Sequence, residues 1–349
     1  MSGGVDSSVA AYMIQQQGYD CTGITMKLFA NEDIGVNRDK SCCSLEDVKD
    51  ARNVADKMGI PFYVNNYTED FKTKVIDSFI TAYQNGATPN PCIDCNRYIK
   101  FNKLLLRARQ LDMDNLVTGH YARIEYNPQS SRYALKKAID NTKDQSYFLY
   151  AMTQQQLEYT LFPLGDMLKP EVRSIARKLG FTNAEKQDSQ DICFVPEGDY
   201  GSFIEKYIGK KYPEGDILDL EGNIIGQHKG IIRYTLGQRR GVGVAVNYPV
   251  YVTAIDPKAN TIILGDETAL LSKTFIARDI NLIAFDSLEK PLRCLVKTRY
   301  LQKEKPAIAE QTAPDELTIT FDEAQRAITP GQAAVLYDGD TVIGGGTIV

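Results

Sequence analysis

The hydrophobic period changes once along this chain, near residue 196, and that change limits the folds open to it. Before it, helix-like and strand-like segments alternate. VAAYMIQQQ reads as a helix stopped at Gly18, and CTGITMKLF has the β-branched apolar run of a buried strand. Ser44 and Asp47 form a capping-box-like start, after which Leu45, Val48, Ala51, Val54 and Met58 recur at helical spacing up to a stop at Gly59. PFYVNN reads as the next strand. A helix with Phe71, Val75, Ile76, Phe79, Ile80 and Tyr83 on one face follows, then a helix over 99–110 and the short strand NLVTG. This alternation predicts a parallel α/β sheet. Beyond residue 254, the short segments VYVTAID, TIILG, FIARDINLI, LRCLVKTRY, ELTITF, QAAVLYDG and TVIGGGTIV predict a small barrel. The expected division is therefore an α/β domain over 1–195, a small Gly- and Lys-rich central linker domain over 196–253, and a C-terminal β-barrel over 254–349.

At 349 residues the chain is long enough for two or three cores. It has no run of about 18 apolar residues and no signal-peptide pattern, which predicts a cytoplasmic protein without a membrane span. The net charge of −5 leaves nucleic acid to local basic patches. Lys229, Arg233, Arg239 and Arg240 in KGIIRYTLGQRRG form one such patch, beside a lone His228 that reads as structural. The seven cysteines, an odd number, argue against a structural disulfide framework. The adjacent pair Cys42 and Cys43 reads as structural or incidental.

The stretch SGGVDSS, residues 2–8, opens the first helix. A glycine-rich turn at a helix N-terminus offers backbone N–H groups and the positive end of the dipole to an anion. Ser2, Ser7 and Ser8 add hydroxyls, and Asp6 can hold a metal or orient the turn. No GK(S/T) follows, so this is not a Walker A loop. The pattern resembles the pyrophosphatase loop of the N-type ATP pyrophosphatase (PP-loop) family, whose members split ATP into AMP and pyrophosphate while adenylating a second substrate. Such a loop hangs from a central strand. None precedes Ser2, so the first strand reads as missing.

TPNPCIDCNRYIKF places Cys92 and Cys95 ahead of a helix expected near Ile99, with Arg97 and Lys100 close by. That setting predicts a lowered thiol pKa. Cys193, in KQDSQDICFV, has Lys186 nearby. Across nearly the whole chain the blocks TPNPxxxCNRxIKF, LVTGHYAR, NTKDQSYFLY, LFPLGDMLKPEVRSIARKLG, QDSQDICFV, HKGIIRYTLGQRRGVG, VKTRY and TPGQAAV follow in order. Together they resemble the tRNA-specific 2-thiouridylase family, whose members sulfurate the wobble uridine.

The resemblance implies ATP on Met1, Ser2, Gly3, Gly4, Val5, Asp6 and Ser7, framed by Met26 and Gly119, with Mg2+ neutralising the pyrophosphate. It implies that ATP adenylates the C2 oxygen of uridine 34 and that Cys193 carries a persulfide. The terminal sulfur attacks C2, and Cys95 resolves the step through a transient Cys95–Cys193 disulfide. Asn90, Pro91 and Cys92 correspond to the loop facing the target base. His120, Lys143, Asp144, Gln145, Arg299, Tyr300 and Gln332 match tRNA contacts. The implied partners are tRNAs of the Glu, Gln and Lys type and a sulfur donor such as a cysteine desulfurase or sulfur-relay protein.

The sequence departs from the family pattern NPDxxCN at Cys92, which stands where an acid/base Asp is usual; Asp94 is displaced by two residues. A thiol there changes the proton chemistry. It also yields CxxC plus Cys193, three soft ligands able to hold a 4Fe–4S cluster with one iron open. A cluster on Cys92, Cys95 and Cys193 and plain persulfide chemistry both stay open at this level, with zinc on the same three as a further option. Two other readings are an amide-forming ligase on the same loop and a non-catalytic nucleotide- or RNA-binding module.

Overall fold

The computed structural model describes residues 1–30, 45–188, 191–195, 198–244 and 247–349. Ser44, Cys42 and Cys43 lie outside the described residues. The backbone divides into two compact units. One comprises Met1–Val75, Cys92–Gly198 and Asp340–Ile343, the other Ile76–Pro91, Asp199–Gly339 and Gly344–Val349.

In the first unit, helix Val5–Gln16 leads to strand Gly23–Lys27, helix Leu45–Met58 and strand Phe62–Asn66. The two strands pair in parallel from Gly23↔Phe62 to Lys27↔Asn66, as the alternation predicts. Gly59 stops the second helix at φ +67, a left-handed conformation that glycine adopts without a Cβ penalty. A second parallel pair joins Leu116–Val117 to Thr160–Leu161, and an antiparallel hairpin joins Ala122–Asn127 to Arg132–Lys137. Helix Lys169–Lys178 lies against helix Val5–Gln16. Between them Val5, Val9, Ala10, Leu164, Val172, Ala176 and Phe181 form one apolar core. Each fully buried Val or Leu there contributes about 1.5–3 kcal/mol. That core fixes the helix whose mouth is SGGVDSS.

The predicted helical face from Phe71 to Tyr83 is buried at every position, within a helical run from Thr68 to Gln84. The helix expected to begin near Ile99 instead starts at Pro91. Proline is favoured in a first helical turn, where its missing N–H has no partner to lose. From Cys95 to Leu104 this helix takes π geometry, a rare form that is frequent at functional sites.

In the second unit, Asp199 caps helix Tyr200–Ile208 by accepting from the Ser202 N–H at 2.9 Å. A four-stranded sheet has the order Ile224–His228, Gly215–Leu218, Thr261–Gly265, Tyr251–Asp256. VYVTAID and TIILG thus belong to this sheet and not to the barrel. Thr261–Gly265 pairs in parallel with Gly215–Leu218, a long-range pairing that no local pattern announces. The barrel has six strands, in the order Leu271–Leu282, Glu316–Arg326, Lys305–Ala313, Leu292–Lys297, Ala333–Asp338, Thr341–Ile348. It closes where Ala277 pairs with Ile348. His228 is structural: its Nδ1 accepts from the Gly230 N–H at 3.1 Å and its Nε2 lies 2.9 Å from the Asn260 carbonyl.

Candidate nucleotide and cysteine site

Gly3 has φ +73, and a Cβ there would lie 2.4 Å from the Asp47 carbonyl, so no other residue fits this turn. Gly4 is the N-cap of helix Val5–Gln16 and supplies no side-chain cap. Ser7 and Ser8 instead donate back to the Gly4 carbonyl at 3.1 and 3.0 Å, and Ser7 Oγ accepts from the Ser2 N–H at 3.1 Å. Gly119 presses its backbone against the same helix mouth, where a Cβ would meet Asp6 and Ser7 backbone atoms at 2.7–2.9 Å. The Met1 carbonyl accepts from Thr25 Oγ1 at 2.6 Å, beside Met26 on strand Gly23–Lys27. Met1 to Ser7 and Gly119, separated by up to 118 positions, therefore gather at one helix N-terminus, with Met26 on the neighbouring strand.

A charged network that sequence reading missed surrounds this mouth. The buried Lys169 places Nζ 2.7 Å from both Asp6 oxygens and 2.8 Å from Asp188. The Tyr121 hydroxyl donates to Asp6 at 2.9 Å, and Lys143 and Arg173 reach Asp188 at 2.7 and 2.9 Å. Burial opposes the Asp188 charge, yet hydrogen bonds from Lys143 and Lys169 outweigh it and hold its carboxyl below the usual range. Burial, with the Asp6 carboxylate beside it, pushes the Tyr121 phenol up, so it remains a donor. Asn183 closes the loop from behind, donating to the Gly3 carbonyl at 3.0 Å and Ser8 Oγ at 2.9 Å, while its own buried Oδ1 has no hydrogen-bond partner among the described residues. The available signal was the lysine just before Pro170 in LFPLGDMLKPEVR, a polar residue at a helix start.

The cysteines differ from expectation. Because the helix begins at Pro91, the exposed Cys92 occupies its first turn and Cys95 is buried one turn further in. Burial pushes the Cys95 thiol up; the Lys100 charge acts against this and Asp94 adds to it. The expected lowering is therefore overturned, since desolvation outweighs the cation. Lys186 is bound to Asp47 and Asp50 at 2.6 and 2.7 Å. Half-buried Cys193 precedes Phe194, whose buried ring meets Phe71 edge-on at 5.7 Å. Helix Thr68–Phe71 in turn packs against Cys95–Leu104. All five described cysteines are thiols. Among the described residues, which include Cys92, Cys95 and Cys193, no group of three is arranged to hold a metal. A cluster or zinc on that trio does not fit this geometry.

His120 keeps its Nδ1 2.7 Å from Thr118 Oγ1, and its ring lies 5.7 Å from Phe101 and 5.8 Å from Phe162. Burial, and then the Lys100 charge, depress its pKa well below normal, which leaves it neutral at pH 7. Asp144 is buried and accepts from the Ala138 and Ser146 N–H groups and Ser146 Oγ. Gln145 Oε1 accepts from the Tyr121 N–H at 3.0 Å. Lys143, Asp144 and Gln145 thus shape their own loop around the charged network.

In the second unit, Arg299 Nη2 donates to Thr329 Oγ1 at 2.6 Å and to the Ala327 and Leu236 carbonyls. Lys297 lies 5.9 Å from the Tyr300 ring, and Gln332 Nε2 donates to the Thr88 carbonyl at 2.7 Å. Arg233 pairs with Glu205 and Asp199, which removes it from the predicted basic patch.

A family model described as a tRNA methyl transferase HUP domain matches residues 1–197. Models for a tRNA methyl transferase PRC-barrel domain and an aminomethyltransferase beta-barrel domain match 201–266 and 272–348. The tRNA-specific 2-thiouridylase MnmA of Clostridioides difficile (strain 630) is 53% identical over 348 residues, covering 100% of this chain and 96% of the relative. The proteins of the same description from Thermoanaerobacter sp. (strain X514) and Acetivibrio thermocellus are 49% and 48% identical over 349 residues, covering 100% of this chain and 96% and 97% of theirs. Fold and site define a HUP-domain protein followed by a PRC-barrel-like domain and a closed β-barrel. The chain belongs to the tRNA-specific 2-thiouridylase family.

Proposed function

We propose that this chain uses ATP to 2-thiolate uridine 34 of tRNA, releasing AMP and pyrophosphate. The observation that carries the reading is the seating of Gly119 against Asp6 and Ser7 at an uncapped helix mouth, in a chain half identical to named thiouridylases. The helix N-terminus and serine hydroxyls would receive the phosphates. Mg2+, when bound, would supply charge neutralisation on the pyrophosphate; Asp6, held by Lys169 and Tyr121, orients the turn.

Adenylation of the uridine C2 oxygen turns it into a leaving group. The terminal sulfur of a Cys193 persulfide attacks C2. Cys95 thiolate then attacks the Cys193 sulfur, breaking the persulfide S–S bond. Sulfur remains on C2, the oxygen departs with AMP, and a Cys95–Cys193 disulfide forms that an external thiol reduces. Asn90, Pro91 and Cys92 face the base, and His120, Lys143, Asp144, Gln145, Arg299, Tyr300 and Gln332 serve the tRNA. Cytoplasmic tRNAs of the Glu, Gln and Lys type and a desulfurase or relay protein as sulfur donor complete the reading. Neither the 4Fe–4S variant nor an amide-forming ligase is favoured. In the deciding experiment, Cys193→Ala abolishes 2-thiouridine while adenylation of the tRNA and pyrophosphate release persist; product from that variant refutes the persulfide role.

A further inference from the structure

The loop between helix Asp77–Gln84 and the helix opening at Pro91 carries Asn90 and Pro91, and Thr88 ties it down. The Thr88 N–H donates to the Pro330 carbonyl at 2.8 Å, and the Thr88 carbonyl accepts from Gln332 Nε2 at 2.7 Å. Thr88 Oγ1 lies 3.3 Å from Thr235 Oγ1. Gly331 lies flat on the same residue: its φ is +87, and a Cβ would meet the Thr88 N and C atoms at 3.0 Å.

The gripping segment is itself braced. The Gly331 N–H donates to the Ile348 carbonyl and the Ile348 N–H to the Gln332 carbonyl, both at 2.8 Å. Arg299 ties Thr329 to the Leu236 carbonyl, one residue from Thr235. Two barrel residues matched to RNA contact, Arg299 and Gln332, therefore belong to the network that holds the loop.

Beyond Thr88 the chain reads Pro89-Asn90-Pro91. Proline locks φ at two of these positions, and the residue before each proline is confined to extended backbone. With so little torsional freedom, fixing Thr88 fixes where Asn90 and Pro91 stand.

We propose that Thr88 is a positioning residue, the clamp through which the barrel sets the target-base loop and transmits RNA engagement at Arg299 and Gln332 to it. The coupling to chemistry rests on the tRNA-thiolation reading; the clamp itself does not. A misplacement of about 1 Å at a reacting centre costs on the order of 100-fold in rate.

The test uses the full chain with Gly331→Ala, Thr235→Val and Thr235→Ser. In Gly331→Ala, hydrogen exchange at the Thr88 amide accelerates and the turnover number for 2-thiouridine falls about 10- to 100-fold. ATP KM stays within about threefold, and tRNA Kd rises by much less than turnover falls. Thr235→Val shifts both readouts in the same direction by less, and Thr235→Ser restores them. Unchanged turnover despite a released Thr88 amide overturns the proposal. So does a loss of turnover matched by an equal loss of tRNA affinity. If Gly331→Ala does not fold, the Thr235 pair decides alone. A wild-type protein that makes no 2-thiouridine refutes the functional reading, while amide exchange still reports on the clamp.

Discussion

Lys169 reaches Asp6 across 163 residues of chain, with Nζ 2.7 Å from both carboxylate oxygens. This bond links helix Lys169–Lys178 to the mouth of helix Val5–Gln16 and shares its cation with Asp188. Replacement by Lys169→Met leaves two carboxylates facing one another beside a buried stem. The expected loss is about 3 kcal/mol of stability, at the lower end for a broken buried pair because Asp6 is partly solvated. Urea unfolding measures it, and ATP titration should show affinity falling with it.

Gly3→Ala tests the turn itself. Its Cβ would meet the Asp47 carbonyl at 2.4 Å in a left-handed conformation. Strain of about 1–3 kcal/mol is expected, seen as a lowered Tm and weakened nucleotide binding. A variant of wild-type affinity and Tm excludes the turn geometry described here.

Burial sets the pH behaviour of Cys95. Its thiol pKa lies above the ordinary 9.0, so the thiolate fraction climbs with pH throughout the neutral range. Alkylation of Cys95, followed by mass spectrometry, should accelerate from pH 7 to 9 without levelling off. A plateau below pH 7 would mean that Lys100 outweighs desolvation.

Asp188 and Asp140 are held below the ordinary carboxylate value of 3.8, each by hydrogen bonds that overcome burial. Their stabilisation is complete above the unfolded pKa and is lost as pH falls through the lower folded value, that is, below about pH 4. Asp188→Asn should flatten the acid limb of the stability profile. An unaltered limb assigns acid sensitivity elsewhere.

Cys92 is exposed and belongs to no three-ligand group among the described residues. Cys92→Ser should retain thiolation within about tenfold, whereas Cys95→Ser should lose essentially all turnover. Anaerobic purification with iron and sulfide analysis gives the complementary check: stoichiometric iron lost in Cys92→Ser would restore the cluster reading.

Much of this architecture is written locally. The strands Gly23–Lys27 and Phe62–Asn66, the stop at Gly59 and the buried face from Phe71 to Tyr83 follow from residue period and glycine placement alone. The glycine-rich helix mouth is likewise legible, because its residues are consecutive. Tertiary structure decided what depends on distant residues meeting. It placed Lys169 on Asp6, moved TIILG into a sheet with Gly215–Leu218, and seated Thr88 against Gln332. It also reversed the expected shift at Cys95. Nearby cations are visible in a sequence, whereas the loss of water around a sulfur depends on what packs over it.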